Sequence, residues 1–199
     1  EGTAYGAPDQ VSVQIGVETY GETVVEATND NEDIMQALFE VLMEEGIDRE
    51  DIQTSNFSVW GESQYMDGGF QEIAGYRVNN QLNITVRNLD TLSSVLQSSM
   101  DAGANSIYGV NFGISDRQDL KSEARQLAVQ NAGEIAEELA GLSGLELGSV
   151  LEISETTGYS GMADFGRPQS GGAGDAPAPS IAPGKVSAYI QVQVTYAVE

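Results

Sequence analysis

The sequence predicts an α+β fold in which helices lie on a largely antiparallel sheet, in the order β-α-β-β-α-β-α-β-β. Three observations predict it. Residues 11–17 and 186–194 alternate apolar and polar side chains with the period of two that marks a half-buried strand. Long intervening stretches instead space their apolar residues by three, four and seven, as one face of a helix does. Between two strand-like runs in the first half, Met66-Asp67-Gly68-Gly69 supplies turn residues, so those runs read as a hairpin. The first six elements then follow a split βαβ plan.

In chain order, Val11, Val13, Ile15 and Val17 alternate with Ser12, Gln14 and Gly16 as the first strand. Between 21 and 45, Val24, Ala27, Ile34, Leu38, Val41 and Leu42 form one helical face, and Gly46 stands where a helix C-cap glycine belongs. The outer face of that helix carries Glu22, Glu26, Asp30, Glu40 and Glu44 with no basic residue among them, so packing and not intrahelical ion pairing must hold it. Phe57, Val59 and Trp60 mark a strand at 54–65, and Tyr76, Val78, Leu82, Ile84 and Val86 mark its partner at 73–86.

Asp90 is placed to cap a second helix that runs through Leu92, Val95, Leu96 and Met100 to Gly103. Residues 106–115 return to strand character with Ile107, Val110, Phe112 and Ile114. Asp116 then caps a third helix whose Leu120, Ala124, Leu127, Ala128, Ile135 and Leu139 share a stripe. A fifth strand is expected at 148–156. Residues 158–184, rich in Gly, Pro, Ser and Ala, are too poor in buriable surface to order themselves and are expected to form a flexible insert. The closing strand alternates Val186, Ala188, Ile190, Val192 and Val194 with polar neighbours and is expected to pair into the main sheet. The domain plan is thus an N-terminal arm at 1–10, with no core of its own to join, and a single domain at 11–199.

A chain of 199 residues, 40% hydrophobic, is long enough for one sizeable core. It carries 31 Asp and Glu against 8 Lys and Arg, a formal charge of -23, which repels nucleic acid and anionic lipid headgroups. No nucleic-acid partner is expected. No direct membrane insertion is expected either, since no apolar run approaches the roughly 20 residues a spanning helix needs. Clear apolar periodicity argues against disorder as the meaning of the acidity. The alternative is a halophilic protein whose counter-cations come from a salty medium, where the Debye length falls to ~3 Å at 1 M. Only Lys121 and Lys185 are lysines, which fits. The polar start from Glu1 to Pro8, without an initiating Met, reads as a trimmed or mature N-terminus.

Neither Cys nor His occurs, which removes thiol nucleophiles, Cys/His zinc sites, Ser-His-Asp triads and histidine acid/base chemistry together. No catalytic, cofactor-binding or metal-ligating residue is assigned. Asn29, Asn31 and Asp33 alternate like the start of a calcium loop, but Ile34 stands where the sharp turn needs Gly. Gly141-Leu142-Ser143-Gly144 has the wrong spacing for a nucleophile elbow and reads as a helix-ending turn. Glu44, Glu45, Asp48, Glu50 and Asp51 read as a solvated helix-end patch, not a glycosidase-like carboxylate pair. Tyr76 and Arg77 read as a strand Tyr packed on a helix beside an ion-paired Arg. Asn56-Phe57-Ser58 and Asn83-Ile84-Thr85 fit the glycosylation sequon, making Asn56 and Asn83 acceptor candidates.

Gly16-Val17-Glu18-Thr19, Asp51-Ile52-Gln53-Thr54, Gly75-Tyr76-Arg77-Val78, Val86-Arg87-Asn88-Leu89-Asp90, Gly103-Ala104, Glu123-Ala124-Arg125 and Pro183-Gly184-Lys185-Val186 occur in this order across the chain. In that order and spacing the sequence resembles the SIMPL-domain proteins of bacterial and archaeal envelopes. The resemblance implies a SIMPL-like fold in a periplasmic, cell-surface or extracellular protein, with ring-like homo-oligomers and a link to oxidative-stress tolerance in some members. It supplies no agreed catalytic residues. The expected function is therefore that of a non-enzymatic secreted or envelope protein that self-assembles into a ring or filament, in a structural or stress-protective role. An extracytoplasmic binding module for a protein or small molecule is the alternative. Because an unpaired strand edge is a template for another chain, Tyr5 and Pro8 in the arm and Val186, Ile190 and Val194 in the closing strand are the candidate self-assembly residues.

Overall fold

The computed structural model describes residues 1–65, 71–156 and 184–199. The turn at 66–69 and, apart from Gly184, the insert at 158–184 lie outside the described residues. Seven strands and three helices follow the chain as β1 (Gly2–Gly6), β2 (Gln10–Gly21), α1 (Val24–Glu44), β3 (Ile52–Tyr65), β4 (Gln71–Val86), α2 (Leu92–Asp101), β5 (Ser106–Gly113), α3 (Gln118–Leu142), β6 (Leu147–Thr156) and β7 (Val186–Val198). The fold is α+β with antiparallel pairing throughout, and its strands form two sheets.

The chain groups into two compact units, Asp9–Gly113, and Glu1–Pro8 with Ile114–Glu199. In the first, four strands lie in the order β3-β4-β2-β5. This is the split βαβ plan, with β4 inserted between the two strands that α1 connects. Val11, Val13, Ile15 and Val17 of β2 and Leu82, Ile84 and Val86 of β4 put one face of the sheet against Met35, Leu38 and Leu42 of α1 and Val95 of α2. Thr23 caps α1 by accepting from the Glu26 amide. Gly46 follows its last turn at φ +84, the left-handed conformation that glycine adopts without a Cβ penalty. The second helix begins differently from the expectation. Asp90 does not cap it: a short 3-10 turn at Leu89–Thr91 precedes α2, Asn88 caps that turn by accepting from the Asp90 amide at 3.1 Å, and Thr91 at the start of α2 makes no side-chain cap bond.

The second unit is a three-stranded sheet, β1-β7-β6, under α3. Ala4 and Ile190 pack on Leu120, Ala124 and Ala128 of α3. Asp116 accepts from the Gln118 amide at 2.8 Å just ahead of this helix, whose N-cap position is held by Arg117 and not by Asp116 as expected, and Gly144 follows its end at φ +70. Two further expectations are corrected here. The N-terminal arm has a partner in its own chain, since Gly2–Gly6 pair antiparallel with residues 186–190 of β7, and Ala4 is 2% exposed. The closing strand does not join the main sheet but is the middle strand of this second one. Their common cause is small side chains. Gly2, Ala4 and Gly6 look like linker composition, yet a Cβ at Gly2 would collide with the backbone of Ala124 and Ala128, so only a residue without one lets strand and helix approach so closely.

Candidate functional site

In the Asp9–Gly113 unit the sheet turns its other face away from α1 and α2, and the pairing register fixes what lies there. Tyr20, Arg77 and Trp60 occupy directly opposed positions on β2, β4 and β3 and so form a cross-strand row. Arg77 donates from Nη1 to Glu18 Oε1 at 2.8 Å and from Nε to Glu62 Oε2 at 2.5 Å. Its guanidinium carbon also lies 5.7 Å from the centroid of the Tyr20 ring. The Tyr20 hydroxyl donates to the Ala74 carbonyl, and the ring occupies the space that a side chain at Gly75 would need. Hydrogen bonding to Glu62, then to Glu18, holds the Arg77 pKa above its ordinary value, so the cation is permanent and already matched by two carboxylates.

Open clefts flank Arg77 on both sides. One, of about 320 Å³, is lined by Tyr20, Glu62, Ser63, Gln64 and Ala74; the other, of about 290 Å³, by Glu18, Asn105, Ser106 and Tyr108. Asn105 fixes the second by closing a two-way amide bridge with the backbone of Glu18. The Ser106 hydroxyl is buried over Gly16 with no protein partner. The chemistry of this cluster is that of a surface which stacks and hydrogen-bonds.

A third cleft, of about 340 Å³, lies where α1 ends and is lined in part by Glu45, Gly46, Asp48, Asp51, Arg87 and Thr91. Two carboxylates of this patch, Asp51 and Glu45, are already committed. Asp51 takes both Arg87 nitrogens, at 2.7 and 2.8 Å, and Glu45 accepts from Ser98 at 2.6 Å and Ser94 at 2.8 Å. Hydrogen bonds from Ser98 and then Ser94 hold the Glu45 carboxyl below its ordinary value. Among the described residues no cluster of three acidic side chains is arranged to hold a metal ion.

Part of the uncovered surface of this unit is apolar. On the β3–β4 hairpin Phe57 is 54%, Trp60 43% and Ile73 55% exposed, and β3 is an edge strand. The sequence names Phe57 and Trp60 as strand residues, but which of them lacks a cover is decided by the four-stranded register, which no local pattern carries. Asn56 is exposed on that edge, whereas Asn83 lies on the central strand β4 and accepts from the Ser12 hydroxyl at 2.8 Å. Of the candidate self-assembly residues, Tyr5 pairs with Ser187, Val186 with Gly6, and Ile190 with Gly2, all inside the chain. Those pairings take Val186 and Ile190 out of any open edge, and Ile190 is core at 1% exposed. Val194 pairs with Ile153 of β6, on the half of β7 that β1 does not reach. Pro8 lies between β1 and β2, at the boundary of the two units.

Residues 1–196 match the SIMPL family, described as proteins of unknown function (DUF541). The chain is 31% identical over 159 residues to the 26 kDa periplasmic immunogenic protein of Brucella melitensis, covering 78% of this chain and 64% of that one. It is 30% identical over 146 residues to the uncharacterized protein YggE of Edwardsiella ictaluri, and 29% over 146 residues to YggE of Escherichia coli, covering 73% of this chain and 61% and 59% of theirs. The chain thus spans about three-fifths of the length of these relatives.

Proposed function

Since the chain belongs to the SIMPL family, we propose that it is an extracytoplasmic envelope protein that works by associating with copies of itself and performs no catalysis of its own. Its 31%-identical Brucella relative is named as a periplasmic protein, which supports the location. No helix among the described residues is long and apolar enough to cross a membrane. The observation that carries the association is the uncovered apolar side chains on both faces of the β3–β4 hairpin, Phe57 and Val59 on the side of the helices and Trp60 on the other, with Ile73 nearby, beside a strand edge that no described residue pairs. A chain carrying 31 acidic residues has polar side chains to spare for such positions, and large apolar ones there are retained for contact.

The test is light scattering coupled to size exclusion at molar salt, with the mass compared with the 21.1 kDa of one chain. The expected result is an assembly of several chains that shrinks when Trp60→Ser and Phe57→Ser are combined. A monomer across concentration and salt would sink the reading. The clefts beside Arg77 favour a second reading, a binding module, in which Tyr20 and Tyr108 stack a small polar ligand that Glu18 and Glu62 hydrogen-bond. A ligand screen by thermal shift, repeated on Arg77→Ala, separates the two readings, because only the binding module loses its hits.

A further inference from the structure

The β1-β7-β6 sheet leaves two surfaces uncovered at the same level of one strand. Strand β1 pairs with β7 only as far as Ile190, while β7 runs on to Val198. Among the described residues no strand pairs with residues 192–198 on that edge. Helix α3 passes over the gap. Asn131 donates to the Glu1 carbonyl at 2.8 Å, which puts this face of the helix above the point where β1 begins. Ile135 lies one turn further on the same face, followed by Leu139 and Leu142. The apolar stripe that β1 and β7 bury at Ala124 and Ala128 therefore continues past the end of β1 with no strand of the described residues beneath it, and these three residues are 55, 59 and 79% exposed.

On the other side of β7, at the same level, β6 pairs with residues 191–198 and is itself an edge. Val192 packs with Ile190 against α3, so alternation puts Val194 on the helix side, and with it the opposed Ile153 of β6. That residue is 59% exposed. One edge thus has an apolar roof and no strand, and the other has a strand and no roof.

We infer that β6 of a second copy seats against residues 192–198 of β7, beneath Ile135, Leu139 and Leu142 of α3, so that copies join head to tail through a continuous sheet. This rests on the self-association proposed above and adds a second contact, without which the β3–β4 hairpin surface does not hold copies together. Strand spacing supports it. Adding one copy shifts the sheet by two strands, about 9.6 Å, which sets successive copies of α3 at the 8–10 Å distance at which helices pack. Charge supports it too, since no charged residue occurs in β7 between Lys185 and Glu199, in a chain of net charge -23. Exposed edges are normally protected by charge, and this half of β7 has none. Because donor and acceptor are different surfaces, the contact does not saturate at two copies but continues until a ring closes or a filament runs on.

Leu139→Glu spoils the roof and leaves β6 intact; Ile153→Glu does the reverse. Both side chains are more than half exposed, so each variant keeps the wild-type melting temperature in the monomer. By light scattering at molar salt, each variant alone is expected to fall to 21.1 kDa, and an equimolar mixture to form a pair of twice that mass and stop there. Only a head-to-tail contact rescues in that manner. If both variants assemble as the wild type does, this contact is wrong while self-association stands. A wild-type monomer removes both. A mixture that fails to pair although each variant alone is monomeric also overturns the inference, since it puts Leu139 and Ile153 in separate contacts.

Discussion

Single side chains in this protein are tuned by neighbours that local sequence does not announce. Glu45 ends α1, and Ser94 and Ser98 project from α2, so the hydrogen bonds that join them span 49 and 53 positions in the chain. They hold the Glu45 carboxyl below its ordinary value of 4.5, Ser98 contributing most, against a smaller desolvation effect. A carboxylate whose pKa is depressed by folding stabilises the fold above its unfolded pKa, and that stabilisation is lost as pH falls through the folded value. Ser98→Ala is therefore expected to lower the melting temperature near neutral pH, with the gap from wild type closing as pH falls below the ordinary carboxylate range and Glu45 protonates in both. Equal gaps at the two pH values would show that Ser98 acts by packing alone. Arg125 and Glu155 follow the same rule between α3 and β6, where the Arg125 hydrogen bond is the main cause of the lowered Glu155 pKa. Composition and spacing mark Glu45 as one acid in a solvated patch, and it takes the packing of α2 against α1 to make it a bonded one. The ion-paired state of Arg77 was legible; its partners Glu18 and Glu62, 59 and 15 positions away, were not.

At the level of elements, periodicity served wherever a face was buried. Strand β2 and the β3–β4 hairpin follow from alternation, and α1 and α3 from their apolar stripes, because the core reads one side of each. It failed at β1, where the buried side is Gly2, Ala4 and Gly6. Residues chosen for closeness to a helix carry no hydrophobic signal, so the strand looked like an arm. Sheet membership failed for a related reason. The alternation of β7 states that one face is buried but not against which helix, and its partner was the strand without a signal. The close approach makes a sharp test. Gly2→Val adds apolar surface to a strand and raises β propensity, yet it drives a side chain into the backbone of Ala124 and Ala128. The collision is with backbone, which cannot swing aside as a flexible side chain does. Overpacking of this sort costs about 1–3 kcal/mol, so Gly2→Val is expected to lower the melting temperature and to open residues 1–8 to protease. A variant at least as stable as wild type would mean that β1 does not dock as described.

For the molecule as a whole, net charge decides under what conditions these contacts hold. A formal charge of -23 on 199 residues is a self-repulsion that folding concentrates, because the compact chain brings carboxylates closer than the unfolded one does. Ion pairs relieve little of it. Those seen are Arg77 with Glu18 and Glu62, Arg87 with Asp51, and Arg125 with Glu155, and all are at least partly solvent-exposed. Screening is the larger lever. At ~10 mM salt the Debye length is about 30 Å, so charges across the whole of either unit repel; at ~1 M it is about 3 Å, and only nearest neighbours do. The melting temperature is therefore expected to rise steeply over that range and to level off near the top of it. Sulfate and phosphate would also strengthen apolar burial by exclusion from the surface, so the titration belongs in sodium chloride, with potassium chloride as the check that screening and not a specific ion is responsible. Association should depend on salt in the same direction and more strongly, since each added copy brings a further -23 to contacts that are themselves apolar. That sign is diagnostic. An interface held by ion pairs weakens as salt rises, whereas one made by backbone pairing and apolar side chains on a highly acidic molecule tightens. Sedimentation velocity at stepped salt on wild type and on Leu139→Glu reads both effects at once. The two proteins should share one stability curve, while only the wild type gains mass. A melting temperature that does not change from ~10 mM to ~1 M would show that the acidic surface is spaced widely enough not to repel, and would remove the physical reason for expecting assembly to need salt.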